Sequence, residues 1–162
     1  MKKNYVAATI VALAAAGGIA FSALNGDETP TPEGASAFPI DSKAITIYRD
    51  PNCGCCDAYA EYLEKNDYQV TRVDDRNFVQ RSIAAGVPEK GLGCHLAEVD
   101  GYVVSGLVPV EIIERLVSER PQITGITLPG MPANAPGMSR EKTGTLKTYS
   151  FGEGGVAVYS NE

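Results

Sequence analysis

The chain has no tryptophan, one histidine and four cysteines among 162 residues, and its basic side chains are outnumbered, 14 Lys and Arg against 20 Asp and Glu. The shortage of positive charge excludes most. The formal net charge is -6, and because Lys2 and Lys3 are the first two basic residues, the chain beyond them holds 14 − 2 = 12 basic against 20 acidic residues, or -8. A nucleic acid or an anionic membrane surface needs clustered Lys and Arg to meet its phosphates, and this composition does not supply them. No internal repeat is visible, and 44% hydrophobic with 21% charged residues suits one globular domain plus some non-domain sequence. With a single histidine, any imidazole in a site must come from His95.

Two stretches precede that domain. "MKKNYVAATIVALAAAGGIAFSALNG" opens on a basic pair, runs uncharged and apolar from Tyr5 to Leu24, and carries small residues at Ala20 and Ser22. This order is that of an export signal, and the run is also long enough to serve as an uncleaved membrane anchor. Residues 1–24 are therefore expected to be a signal peptide or N-terminal anchor that delivers the protein outside the cytoplasm, to the periplasm or an equivalent compartment. Residues 25–42, rich in Pro, Thr, Gly and acidic side chains, bury too little apolar surface to order themselves and are expected to be a flexible tether.

From Lys43 the pattern becomes regular, and residues 43–162 are expected to form the domain. "AITIYR" predicts a strand that feeds straight into three cysteines, and "CDAYAEYLEKN" predicts a helix with Ala58, Tyr59, Tyr62 and Leu63 on one face. "YQVTRVD" reads as a second strand and "NFVQRSIAAG" as a short helix closed by Gly86. "LAEVDGYVVSGLV" reads as two strands about a tight primed turn at Asp100-Gly101. "PVEIIERLVSERP" predicts a helix with Pro109 at its first position, Val110, Ile113 and Val117 on one face, and Pro121 as its stop. "LKTYSF" and "VAVYS", separated by "GEGG", predict a hairpin. This order is that of a thioredoxin-like α/β domain, a central mixed sheet flanked by helices, here with a C-terminal hairpin extension. In that fold a Cys-x-x-Cys pair sits between the first strand and first helix, where Cys53-Gly54-Cys55-Cys56 falls. The loop before the predicted hairpin lies against that pair, which brings "GLGCHL", with Cys94 and His95, beside Cys53 and Cys56.

Thiols at a helix N-terminus face unpaired N–H groups and the positive end of the helix dipole, which favours thiolate. Several thiolates a few Å apart repel one another by roughly 1 kcal/mol per pair in water and more at lower dielectric. They must stay protonated, pair as disulfides or share a cation. Three chemistries follow. A disulfide framework suits an exported chain with an even cysteine count, although framework cysteines are usually dispersed. A thiol-disulfide oxidoreductase needs only Cys53 and Cys56. A soft-metal site would use Cys53, Cys55, Cys56 and Cys94 as thiolates with His95 as imidazole. Export, clustered thiols and the loop methionines Met131 and Met138 favour Cu(I) over zinc, with copper ions as the partner and other copper-handling proteins as further ones. On a helix Cys55 is rotated from Cys56 by about 100 degrees, so one ion cannot easily take all three thiolates, and two or more bridged Cu(I) ions are expected.

"YRDPNCGCC", "GCHLAEVDGYVVSGLVP" and "PGMPANAPGM" resemble the exported copper-resistance proteins called CopG-like. The resemblance implies a thioredoxin-like domain holding a copper cluster through these cysteines, a role in copper tolerance, and a change of copper oxidation state. The chain departs from the family's usual pattern at Leu107, where a histidine is common, and near Tyr59, where a tryptophan is common. Loss of a second imidazole bears on the ligand count.

Overall fold

The computed structural model describes residues 43–139 and 143–162; the expected export segment and tether lie outside them. β1 (Ala44–Arg49) alternates, with Ile45 and Ile47 buried toward one face of the sheet and Tyr48 toward the other. It is followed by α1 (Gly54–Glu64), β2 (Gln69–Asp74), α2 (Phe78–Ala84), a single 3-10 turn at Glu89–Gly91, β3 (His95–Val99), β4 (Tyr102–Ser105), α3 (Val110–Glu119), β5 (Gly125–Thr127), β6 (Lys147–Phe151) and β7 (Ala157–Asn161). The strands form one mixed sheet in the order β2-β1-β3-β4-β5-β6-β7. β1 runs parallel to β2 and antiparallel to β3, and the first four strands with α1, α2 and α3 make the thioredoxin-like unit. Among the described residues no helix is long and apolar enough to cross a membrane.

Alternation divides the core between the two faces of the sheet. Ile45, Ile47, Ala97, Val99 and Val104 meet Tyr59, Ala60 and Leu63 of α1 and Ile112, Ile113 and Leu116 of α3 on one face. Leu96, Val87 and Phe151 form a smaller cluster on the other, with Tyr48 and Val103 packed against it. Asp100 (φ 48°) and Gly101 (φ 84°) make the β3–β4 turn in the left-handed conformation a primed turn requires.

The structure differs from the sequence expectation in detail. The buried stripe of α1 is Cys56, Tyr59, Ala60 and Leu63, with Tyr62 half-buried, so the helix is turned slightly from the predicted face. In α3 the buried residues are Val110, Ile112, Ile113 and Leu116, while Val117 lies at the margin, because the helix packs broadly on the sheet. Pro109 is the N-cap rather than the first helical residue. β5, only three residues long, was not expected; it pairs with β4 and β6 and so joins the C-terminal hairpin to the central sheet.

The loop before β3 is held by close backbone contacts. Gly93 donates its N–H to Ser105 Oγ at 3.1 Å, Gly130 donates to Leu92 O at 3.0 Å, and Gly106 donates to His95 O at 3.2 Å. A Cβ on Gly93 would overlap the backbone of Gly106. Gly93→Ala is therefore expected to destabilise the domain by about 1–3 kcal/mol, read as a lower urea midpoint with an unchanged m-value; a midpoint equal to the parent's would contradict this packing.

Candidate metal centre

Two loops meet at the C-terminal end of β1. After Arg49 the chain turns at Asp50, whose carboxylate accepts the Asn52 N–H at 2.9 Å and whose carbonyl accepts the Cys53 N–H at 3.0 Å. Cys53 is the N-cap of α1 (φ -85°, ψ 88°), and its carbonyl accepts from Cys56 and Asp57 to start the helix. On the other side, the glycine contacts that fix residues 91–93 deliver Cys94 to the same place. The four Sγ atoms of Cys53, Cys55, Cys56 and Cys94 lie within 4.8 Å of one another, a group that could hold a metal ion. Cys53 and Cys56 are joined as a disulfide with their Cα atoms 5.3 Å apart, while Cys55 and Cys94 are free. Cys56 Sγ stands 3.4 Å from the Cys94 carbonyl, which fixes the separation of the two loops.

Helical rotation sets Cys55 apart from its neighbour Cys56, yet Cys55 still joins the sulfur group. Its Sγ is 3.4 Å from Cys53 Sγ, because Cys53 sits outside the helix at the N-cap, where the helical angle no longer governs direction. The methionines separate. Met131 Sδ is 3.8 Å from Cys55 Sγ on the exposed rim of the group, whereas Met138 lines a cavity further along α1 with Ala58, Glu61, Tyr62 and Lys65. Gly137 (φ 84°) lies against the Cys55 carbonyl and the Tyr59 N–H, so the loop carrying both methionines rests on the first turn of α1.

His95 follows Cys94 at the start of β3, and its side chain turns into the core. The imidazole is fully buried, its ring centre 4.9 Å from that of Tyr59, and its Nδ1 is 3.5 Å from Cys94 Sγ. It lies beside the sulfur group rather than within it. Tyr59, also fully buried, donates its hydroxyl to Val108 O at 2.7 Å. Leu107 is wholly buried in the core around Tyr59 and offers no ligand atom. His95 Nε2 is buried without a hydrogen-bond partner among the described residues, a costly state for an imidazole. Soft sulfurs with an imidazole alongside are a donor set suited to a soft metal.

Burial governs the protonation of both residues of the Cys-His pair. It pushes the Cys94 thiol up to about 12, with the negative charge of Cys55 adding to the shift, so Cys94 stays a thiol until a metal displaces its proton. It pushes His95 down to about 3. One residue bordering the site was not foreseen from sequence. Arg49 is almost buried, and its guanidinium is 3.1 Å from Asp57 and 3.4 Å from Asp74, while donating to Asp50 O at 3.0 Å. An arginine ending a strand on the inward-facing side of its alternation was the available signal.

A family model described as "Protein of unknown function, DUF411" matches residues 92–138. Two solved structures of copper resistance protein CopG, its Form 2 and Form 1, are each 32% identical to this chain with a TM-score of 0.67. Each covers 74% of this chain, and the match extends over 97% and 96% of theirs. The chain belongs to the CopG family. No curated protein matches it. Within this CopG-family domain, the matched model residues carry the Cys94 loop and the methionine loop, and the remaining three thiols come from the β1–α1 junction.

The neutral, buried His95 makes stability depend on acid. The unfolded chain takes up a proton near pH 6.5 that the folded chain refuses until about pH 3. The imidazole therefore costs no stability above about pH 6.5, and stability falls by about 1.4 kcal/mol per pH unit between those values. His95→Gln, with no proton to bind, should flatten that part of the pH–stability profile measured on metal-free protein. An equal slope in parent and variant would contradict a buried neutral imidazole.

Proposed function

We propose that this protein binds Cu(I) outside the cytoplasm, through Cys53, Cys55, Cys56 and Cys94 with His95 completing the set, in the service of copper tolerance. The carrying observation is the convergence of four sulfurs from two loops, 41 residues apart between Cys53 and Cys94, into one group in a chain of the CopG family. Residues 1–24 would direct export and residues 25–42 would tether the metal-binding domain, residues 43–162. Other copper-handling proteins are the partners this role calls for; nucleic acid is not.

Reduced, the group would place several thiolates within a few Å, and their repulsion is relieved by each cation they share. Cu(I) is satisfied by few soft donors, so four thiolates, an imidazole and the Met131 thioether at the rim exceed what a single ion uses. Thiolates bridging two or more ions account for that surplus, with Cys55, closest to Met131, serving the outer ion.

The Cys53–Cys56 disulfide favours a second, redox reading. A disulfide cannot offer those two sulfurs as thiolates, so loading requires two electrons and two protons to regenerate both thiols. In the reverse direction, oxidation of the two thiols to a disulfide releases two electrons and two protons, enough to reduce two Cu(II) to Cu(I). A metal-free dithiol oxidoreductase would use the same pair but leaves Cys94, Cys55 and His95 without a role. Insulin reduction separates these readings: copper-loaded protein should show almost none, and robust turnover by that form would favour the oxidoreductase.

Titration of reduced protein with Cu(I), followed by native mass spectrometry, tests the copper assignment. Two or more ions per chain are expected, and Cys94→Ser should weaken retention against a chelator by at least about tenfold, or about 1.4 kcal/mol. Saturation at one ion, with Cys55→Ser equal to the parent, would remove the cluster; unchanged retention in Cys94→Ser would mean the second loop takes no part.

A further inference from the structure

Arg49 ends β1 one residue before the cysteine turn, and in the β1–β3 register it stands opposite His95. Its guanidinium makes three attachments. It donates to the Asp50 carbonyl, the same oxygen that accepts the Cys53 N–H. It pairs with Asp57 in the first turn of α1, immediately beyond Cys56. It also pairs with Asp74 at the end of β2. One planar group thus ties the entry of the loop, the exit of the loop and the neighbouring strand. The arginine's Nε is meanwhile buried with no partner among the described residues, and the side chain is only 12% exposed. A group placed for stability alone is usually saturated; this one gives up a hydrogen bond while its other nitrogens reach the loop.

We infer that Arg49 is a positioning residue for the cysteine group, holding Cys53 and Cys56 at the separation from which they close as a disulfide or converge on a metal. The two thiols lie between the two attachment points, Asp50 and Asp57. Fastening both ends of that short loop to β1 raises the effective concentration of one thiol at the other. A lysine cannot replace the arrangement, because an ammonium is a point charge while the guanidinium fork spans several acceptors at fixed angles.

The alternative, that Arg49 acts only as a positive charge beside the thiols, has the opposite consequence. Loss of a charge that favours thiolates would make the disulfide harder to reduce, and Lys would restore the parent value. Loss of positioning makes the disulfide easier to reduce, and Lys does not restore it.

The deciding measurement is the equilibrium of the Cys53–Cys56 disulfide in the metal-free full chain with glutathione. Two glutathione thiols are oxidised to one glutathione disulfide as the protein gains two thiols, and the populations are quantified by alkylation and peptide mass spectrometry. Arg49→Met should shift this equilibrium toward the dithiol by at least about fivefold. Arg49→Lys should remain shifted in the same direction, and Asp57→Asn, which removes a single attachment at an exposed position, should shift it part-way. Arg72→Met, which removes an arginine paired with Glu64 away from the loop, should match the parent and controls for the loss of an ion pair. A parent-like value in Arg49→Met and Asp57→Asn, a shift toward the disulfide, or full recovery in Arg49→Lys would each overturn the inference. Its consequence for copper rests on the proposed function and is read separately, as a tenfold loss of Cu(I) retention in Arg49→Met. A parent that retains no Cu(I) would overturn the copper proposal and leave the glutathione equilibrium to decide Arg49.

Discussion

Four sulfur atoms within 4.8 Å of one another are the constraint on which the rest of this domain turns. As free thiolates they would repel strongly in a partly desolvated site, so they exist as thiols, as a disulfide or around a shared cation. The structure shows the first two states at once: Cys53 with Cys56 as a disulfide, Cys94 kept protonated by burial. Holding such a group together takes rigid surroundings, because nothing in the metal-free thiols themselves keeps them close. The rigidity comes from the Gly93–Gly106 backbone approach on one loop, from the Asp50 turn and the Arg49 side-chain attachments on the other, and from Gly137 laid over the first turn of α1.

The thioredoxin-like core supplies the geometry that these contacts refine. Pairing of β1 with β3 sets Arg49 opposite His95, which places the ends of two loops side by side whatever their sequences. The helix dipole of α1 then points its positive end at the sulfurs. The wall behind them is apolar, with Tyr59 and Leu107 fully buried. That wall explains why His95 is neutral and why its ring is oriented by packing against Tyr59.

Much of this was readable from sequence because the signals were local. The β-branched run of β1, the Asp100-Gly101 turn and the apolar stripe of α3 each specify their own conformation, and their order identifies the sheet. The nearness of Cys94 to Cys53 followed from that order once the fold was assigned. Features depending on tertiary contact were not readable. β5 has three residues, too few for any periodicity, and exists because β4 and β6 flank it. The approach of Cys53 to Cys55 depended on whether Cys53 begins the helix or caps it, a difference of one residue that reorients the Cys53 sulfur. Met131 and Met138 look equivalent in a Gly- and Pro-rich loop, and only the path of the backbone puts one beside Cys55 and the other on a cavity further along α1. Arg49 resembled any strand-end arginine until its three attachments were seen together.

Sharing of the same copper ions by sulfurs from both loops is the central claim. X-ray absorption at the copper edge, recorded on anaerobically reduced protein loaded with Cu(I), addresses that claim directly. A first shell dominated by sulfur, a resolved copper–copper vector, and a loss of sulfur from the shell in Cys94→Ser are the predicted results. A shell of nitrogen and oxygen, or a sulfur shell indifferent to Cys94→Ser, would contradict it.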